Sequence, residues 1–244
     1  MKSSMTGAVG RTATRGLAWG AAAGALAVLP ASGLAPLAAA DAATPAYTIT
    51  DLGNLGYPAA SPTGINGTGQ VSGTSPLATT VPATGCPPKH RPCTTHPQHA
   101  FLYSGGKITD LGTLGGNFSY GEAINTAGAV AGYSVPAAGG YHAFLDSGGK
   151  MTDLGAYNID TVAQAINDSG VIVGQTYGTD SAGNPFYHAF IYTGGQFQDL
   201  NSLIPAGSGF ELTSATGINA SGQIVATGYS SSTGQTHAFL LTPS

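Results

Sequence analysis

The stretch HAFLYSGGKITDLGTLGGNFSYGEAINTAG, residues 99–128, contains one copy of each motif that decides the fold. It begins with His-Ala-Phe, passes through a Gly-Gly pair to Asp-Leu-Gly, and ends with Ile-Asn, which a glycine follows three residues later. Self-similarity is sought before any other pattern, because a missed repeat leads to the wrong fold. Outward from this stretch, the same three motifs recur in the same order along the chain.

The motifs keep one fixed interval and one variable interval. The asparagine of Ile-Asn is Asn66, Asn125, Asn167 and Asn219, the histidine of His-Ala-Phe is His99, His142, His188 and His237, and the aspartate of Asp-Leu-Gly is Asp51, Asp110 and Asp153, with Asp199 in a variant form. Each histidine that has an aspartate after it precedes that aspartate by eleven residues. This constant interval, with a glycine pair inside it, indicates a hairpin. The interval from Ile-Asn to the histidine varies, which indicates a surface loop.

Each unit therefore predicts four short strands, here called A to D. Strand A ends in Ile-Asn, strand B follows the glycine, strand C begins with His-Ala-Phe, and strand D ends in Asp-Leu. The Asn-x-x-Gly segment between A and B is typical of a turn, because asparagine caps its own backbone and glycine accepts a positive φ. Four strands in about fifty residues are typical of a propeller blade, so the predicted fold is all-β, a small four-bladed β-propeller.

The two ends of the repeat region predict how the ring closes. The predicted blades cover about residues 57–112, 113–155, 156–201 and 202–244. The chain stops at Ser244, so the fourth blade has no strand D of its own, whereas residues 47–53 resemble a strand D with no unit before them. We therefore expect this N-terminal strand to complete the last blade and to protect its edge.

The motifs resemble the bacterial extracellular repeat family that is named for its HAF motif. The resemblance covers nearly all of residues 47–244 and rests on His-Ala-Phe, Ile-Asn-x-x-Gly and Asp-Leu-Gly-Thr-Leu-Gly-Gly at residues 110–116. The third unit departs from it at Ala156 and Tyr157, and the fourth at Asn201. The resemblance implies an extracellular repeat protein and carries over no catalytic residue.

Residues 1–40 have the pattern of a secretory signal peptide. Basic residues precede an apolar stretch from Leu17 to Leu29, and small residues end in three alanines before Asp41. Cleavage there would leave residues 41–244 as a single secreted repeat domain, and an uncleaved membrane anchor is the alternative. After residue 40 the chain has no other apolar run of membrane-spanning length, so we expect no membrane insertion after cleavage.

The charge of residues 41–244 excludes some partners. Four basic residues remain against eleven acidic ones, a net charge of −7. Four basic side chains cannot neutralise many phosphate groups. Nucleic acid is therefore not an expected partner. We expect a monomer.

Cys86 and Cys93 lie in a Pro-rich stretch and predict a disulfide in an oxidising compartment. A metal site with His90 and His96 is the alternative, although the spacing fits no common zinc pattern.

The repeated polar residues predict a structural role. One asparagine, one histidine and one aspartate per unit suit a hydrogen-bond set that holds strands together, because buried polar groups must be paired. A metal ring formed by the four histidines is the alternative, but each histidine begins strand C, away from the predicted axis. We predict no cofactor and no metal site.

The segments that vary between units predict a binding face. B–C and D–A connections emerge on the same face of a propeller, and aromatic residues concentrate there: Tyr57, Phe118, Tyr120, Tyr141, Tyr157, Tyr177, Phe186, Tyr187, Phe210 and Tyr229. Exposed tyrosine among Ser, Asn and Gly makes an adaptable recognition surface. The predicted function is a non-catalytic module that binds an extracellular polysaccharide or a surface protein. A structural cell-surface protein without a ligand is the alternative.

No catalytic motif supports an enzyme. The chain has no Gly-x-Ser-x-Gly, no His-Glu-x-x-His and no Gly-rich phosphate loop. A hydrolase at the central channel is a weaker alternative, which would depend on Glu122 and Glu211 near strand A, since glycoside hydrolysis needs two facing carboxylates.

Overall fold

The computed structural model describes residues 47–83, 94–155 and 160–244, and these residues are all-β, as predicted. Within them there is no α-helix, and one 3₁₀ turn lies at Leu200–Ser202. Residues from Thr50 to Ser244 form one compact unit. In the described part of the chain, no helix is long and apolar enough to cross a membrane.

The strands follow the order of the motifs. They are β1 (Ser61–Ile65), β2 (Val71–Pro76), β3 (Val81–Pro82), β4 (Thr94–Thr95), β5 (Gln98–Ser104), β6 (Lys107–Asp110), β7 (Gly115–Ile124), β8 (Val130–Pro136), β9 (His142–Ser147), β10 (Lys150–Asp153), β11 (Asp160–Ile166), β12 (Ile172–Thr179), β13 (Pro185–Thr193), β14 (Gln196–Asp199), β15 (Phe210–Ile218), β16 (Ile224–Ser230) and β17 (Thr236–Leu241). Strands β1, β7, β11 and β15 each end at the isoleucine of Ile-Asn. The turn that follows has the same form each time, with a positive φ at its glycine.

The strands form four antiparallel groups in sequence order, here called sheets I to IV. Sheet I is β1-β2-β5-β6, sheet II is β7-β8-β9-β10, sheet III is β11-β12-β13-β14, and sheet IV is β15-β16-β17. One parallel bridge, between Gln98 and Phe118, connects sheets I and II. The hairpin β3–β4 lies in the long B–C connection of the first unit. In sheets I to III the Asn-x-x-Gly and Gly-Gly turns lie at one end, and the B–C and D–A connections lie at the other.

Consecutive sheets pack face to face through apolar clusters. Strand A of each later sheet contacts strands B and C of the sheet before it. One cluster joins sheet II to sheet III, with Ala131 and Ala143 from the first and Ala163 and Phe190 from the second. Two further clusters connect sheet I to sheet II and sheet III to sheet IV. The core is therefore a row of three equivalent junctions.

A glycine in strand B allows the phenylalanine of His-Ala-Phe to lie flat against the sheet. A Cβ atom at Gly73 would be 2.6 Å from the ring of Phe101, and one at Gly174 would be 2.8 Å from the ring of Phe190. These phenylalanines are fully buried. A larger residue at the glycine would have to displace a ring that close packing holds in place.

The predicted N-terminal closing strand is not formed. Residues 47–53 have no strand assignment, and sheet IV contains three strands among the described residues. Leu55 instead donates its backbone N–H to Ser75 Oγ (3.0 Å), and Gly56 forms a bridge with Leu77, so residues 55–56 bind the end of strand β2 in sheet I. The physical reason is that residues 55–56 bind sheet I, while residues 47–53 have no partner strand among the described residues. Closure of four blades into a ring therefore stays a prediction.

Candidate functional site

The repeated histidines and aspartates meet across strands C and D. Nδ1 of His99 lies 2.8 Å from Asp110, Nδ1 of His142 lies 2.9 Å from Asp153, and Nδ1 of His188 lies 2.6 Å from Asp199. Each aspartate also accepts a hydrogen bond from the backbone N–H two residues later, at 2.7 to 2.8 Å. Asp51 makes the same turn with Gly53 at 2.9 Å. Each of the three pairs therefore connects one strand pair and anchors one D–A connection.

The repeated asparagines form a ladder that runs through the stack. Nδ2 of Asn66 donates to the carbonyl oxygen of Asn125 (2.9 Å), Asn125 donates to Asn167 (3.3 Å), and Asn167 donates to Asn219 (3.1 Å). The side-chain oxygen of each asparagine accepts backbone N–H groups of its own turn, such as Val171 in the third unit at 3.0 Å. One residue type thus closes a turn and binds the next sheet. No group of three or more His, Cys, Asp or Glu residues in the described ranges could hold a metal ion.

The pair of His99 and Asp110 predicts a pH-dependent stability. Burial raises the pKa of Asp110, but hydrogen bonds from His99 and Gly112 and the charge of His99 outweigh burial, so the pKa lies below its ordinary value. A lowered pKa in the folded state stabilises above the unfolded pKa of about 3.9, and the stabilisation is lost as the pH falls through the folded pKa. Asp110→Asn should therefore lower the melting temperature at pH 7 and lower it less near pH 2.

The size of that effect is limited by solvent. The Asp110 side chain is 40 % exposed, so we expect a loss of less than about 1 kcal/mol, which is a shift of about 2–4 °C at most. Asp51→Asn is the matched control, because Asp51 makes the same turn and has no histidine beside it in the described residues. Thermal melts in dilute solution at both pH values measure the difference. Equal shifts in both variants at pH 7 would mean that the histidine contributes nothing.

Five tyrosines form a continuous row at the loop end of sheets II and III. Tyr120 stacks on Tyr133 with ring centroids 4.7 Å apart, and Tyr133 meets Tyr141 edge-on at 5.6 Å. Tyr141 lies 6.4 Å from Tyr177, which stacks on Tyr187 at 6.2 Å. We call these five residues the tyrosine row. Tyr141 and Tyr187 expose large parts of their rings. The row crosses from sheet II to sheet III, so its aromatic surface is longer than one sheet.

The environment raises the pKa of three tyrosines of the row. Burial raises the pKa of Tyr133 to about 12, and the negative charge of Glu122 is the second contribution to this increase. Burial, followed by the charge of Asp160, raises the pKa of Tyr177 further. Burial also raises the pKa of Tyr120. The hydroxyl groups of Tyr120, Tyr133 and Tyr177 are therefore neutral donors at physiological pH, suited to hydrogen bonds with uncharged oxygen atoms.

A polar cavity of about 440 Å³ adjoins the row. It is lined by the B–C connection of sheet II and by the end of strand β12: Ala138, Gly139, Gly140, His142, Asp160, Tyr177, Gly178 and Thr179. Asp160 accepts the backbone N–H of Tyr141 and is hydrogen-bonded to Tyr177. Backbone groups, a carboxylate and an imidazole are thus placed beside aromatic rings. A ring-shaped ligand with hydroxyl groups could stack on the row and hydrogen-bond within this cavity.

A second cavity of about 580 Å³ lies beside the His188–Asp199 pair. Phe186, Phe190 and Phe197 make its lining mainly apolar. Nε2 of His188 also lies 3.6 Å from Glu211. This cavity is separate from the tyrosine row.

The remaining residues of the predicted binding face lie apart from the row. Tyr57 packs on His96 with centroids 3.9 Å apart, Phe186 lies 5.0 Å from His188, and Phe210 lies 5.0 Å from Phe239. The backbone carbonyl oxygen of Phe118 accepts a hydrogen bond from Ser134 Oγ. Tyr229 is hydrogen-bonded to Glu211, and this bond together with burial raises the pKa of Tyr229. Tyr157, Cys86 and Cys93 lie outside the described residues. Tyr133 was missed by sequence reasoning, because it lies inside strand β8 and not in a variable loop.

The two glutamates of the hydrolase alternative lie on different sheets. Glu122 is in strand β7 and Glu211 is in strand β15. Burial raises the pKa of Glu122, whereas Glu211 contacts His188 and Tyr229. Among the described residues no hydrogen bond or ion pair connects them, and the hydrolase alternative stays a prediction.

No family model, no curated protein and no solved structure matches this chain. The resemblance to the HAF-motif family therefore stays a prediction.

Proposed function

We propose that this chain is a secreted, non-catalytic module built of propeller-blade-like repeats that binds an extracellular polysaccharide at the tyrosine row. The observation that carries the proposal is the unbroken series of ring contacts from Tyr120 to Tyr187 beside a polar cavity. Pyranose rings present apolar C–H faces and hydroxyl edges, so they match aromatic faces flanked by polar groups. A polymer can contact several rings of the row at once.

The charges near the row favour a neutral glycan over an anionic one. Asp160 borders the cavity and Glu122 lies close enough to affect Tyr133. The lysines of the described residues, Lys107 and Lys150, follow the Gly-Gly turns at the opposite end of the sheets. A uronic acid or sulfate group at the row would therefore meet like charge with no nearby described cation, which costs binding free energy.

Tyrosine fluorescence tests the proposal, since the only tryptophan, Trp19, lies in the predicted signal peptide. We expect a neutral polysaccharide to change the emission of the protein with saturation. Tyr177→Ala should weaken binding about tenfold, because loss of one stacked ring removes about 1.4 kcal/mol. Tyr177→Phe keeps the ring and should retain most of the affinity.

Tyr103→Ala is the control, because Tyr103 lies in strand β5, near the opposite end of its sheet. If Tyr103→Ala weakens binding as much as Tyr177→Ala, the row is not the site. Saturable binding of anionic polysaccharides alone would contradict the assignment of a neutral ligand. An absence of binding across neutral polysaccharides would favour a structural role.

A further inference from the structure

The last sheet exposes the surface that every earlier sheet buries. Val225 of strand β16 occupies the position of Ser72, Ala131 and Val173, counted from Ile-Asn. Those three residues have 0 % exposure, whereas Val225 is 48 % exposed. The alanine of His-Ala-Phe is fully buried in the first three units, but Ala238 is exposed. Leu240 is 64 % exposed on the same strand pair. We call this surface of β16 and β17 the tail.

The first sheet exposes the surface that would cover the tail. Strand A of sheets II, III and IV packs on strands B and C of the sheet before it. Strand β1 is the strand A of sheet I and has no sheet before it in the described chain. Ile65 is consequently 72 % exposed, whereas the equivalent Ile166 is 8 % exposed and forms part of the core. We call strand β1 together with residues 47–56 the head.

Within the described residues, the ladder of asparagine hydrogen bonds has an unused donor position at the tail and an unused acceptor position at the head. Asn66, Asn125 and Asn167 each donate to the asparagine carbonyl of the next sheet. Asn219 instead donates to Gln223 of its own turn at 2.8 Å. His237 has no carboxylate within ion-pair distance among the described residues, and Asp51 makes its turn without a histidine. The tail thus lacks a carbonyl and an aspartate, and the head offers both.

We propose that a second copy of this chain docks its head on the tail of the first, so that the two chains continue one stack. In this junction Asn219 donates to the carbonyl of the second copy's Asn66, and His237 pairs with the second copy's Asp51. Residues 48–51 of the second copy, which match strand β6, add a fourth strand to the free edge of β17. An unpaired edge and an apolar face next to each other are a template for such pairing.

The occupant is a second copy because the junction already exists three times within the chain. Ile49, 99 % exposed, matches Ile108 of strand β6, which is half-buried. Within the described chain, strand β1 has no substantial contact with sheet IV. A second copy can repeat the junction that sheets II, III and IV already form with the sheet before them. Docking of this head-to-tail kind builds open filaments or larger rings.

Sedimentation of the full-length chain, as recovered after expression, tests the proposal. We expect the average mass to rise from one chain toward two or more between about 1 and 200 µM, because head-to-tail association follows mass action. Leu240→Lys blocks the tail and Ile65→Lys blocks the head, because each places a charge in the junction. Either variant alone should stay at the mass of one chain. Mixing the two should restore a dimer and nothing larger, since one free head and one free tail remain.

Ser181→Lys, which adds the same charge on the exposed turn between β12 and β13, should associate as the parent chain does. Circular dichroism establishes that each variant is folded, and the two variants alter exposed positions at opposite ends of the stack. A parent chain that has the mass of one chain over the whole range would overturn the proposal. Association that persists in both blocked variants, or a mixture that gives no dimer, would overturn it as well.

Discussion

Gly174→Ala should lower the free energy of unfolding by about 3 kcal/mol, the upper part of the range for overpacked cores. A Cβ atom at this position would lie 2.0 Å from the carbonyl oxygen of Val162 and 2.8 Å from the ring of Phe190. The first neighbour is backbone of the paired strand and the second is a fully buried ring, so neither can move cheaply. The change therefore strains strand pairing and the junction packing at once.

Chemical denaturation of Gly174→Ala measures this loss, and a thermal melt should fall by about 6–12 °C in proportion. Ser181→Ala is the control, because Ser181 is an exposed turn residue. The fourth sheet offers a comparison within the chain, since Ala226 occupies the equivalent position and pairs with Phe239, which is only partly buried. A loss below about 0.5 kcal/mol for Gly174→Ala, the usual range for surface changes, would show that the glycine is not required for the phenylalanine to pack.

Asn167→Ala should lower the free energy of unfolding by about 2–3 kcal/mol. Asn219→Ala should lower it by about 1 kcal/mol less, because one hydrogen bond contributes about 1 kcal/mol net. Asn167 is buried, accepts the N–H groups of Ser169 and Val171, and donates to the carbonyl of Asn219. Asn219 accepts the same turn bonds from Ser221 and Gln223 and also makes side-chain hydrogen bonds with both residues, but it is exposed and, among the described residues, donates to no following sheet. Because water can replace the bonds of an exposed side chain, the difference between the variants reports the buried bond between sheets together with the burial of Asn167.

Both asparagine variants are measured by urea denaturation in dilute solution, so that association between chains does not add to the stability. Asn125→Ala, which removes the preceding bond of the ladder, should behave as Asn167→Ala does. Equal losses for Asn167→Ala and Asn219→Ala would mean that the ladder closes turns without holding the sheets together.

The all-β class could be predicted because its signals are local. Asn-x-x-Gly and Gly-Gly place turns through the conformational freedom of glycine, and short runs of β-branched residues between turns favour strands. The eleven residues between His99 and Asp110 are enough to bring the two side chains together across one hairpin, since a tight turn determines the register. These inferences need information about neighbouring residues only.

Ring closure is predicted from the two ends of the repeat region and stays a prediction, because it depends on the angle between sheets. That angle arises from the packing of whole sheet faces, such as Ala163 and Phe190 against Ala131. The angles at the three junctions add up, and no single sequence motif determines the total angle. The segment at residues 47–53 illustrates the limit: its sequence resembles strand D, yet the missing partner strand leaves it unpaired in this structure.

The tyrosine row was predicted in part. Tyr120, Tyr141, Tyr177 and Tyr187 stand out because they lie in or beside segments of variable length. Tyr133 lies within a strand of constant length, so a search through loops passes over it, although it connects Tyr120 to Tyr141 by ring contacts. A residue at the end of a strand, next to a variable loop, contributes to the same surface as the loop, because its side chain projects from the sheet beside the loop.

Retention on neutral polysaccharides is the measurement that tests the central claim most directly. Affinity electrophoresis of the full-length chain, as recovered after expression, through gels that contain a series of neutral glycans compares the parent chain with Tyr177→Ala and Tyr103→Ala. The account predicts that at least one glycan slows the parent chain and Tyr103→Ala, and slows Tyr177→Ala much less. Equal mobility of all three proteins in every gel would contradict it.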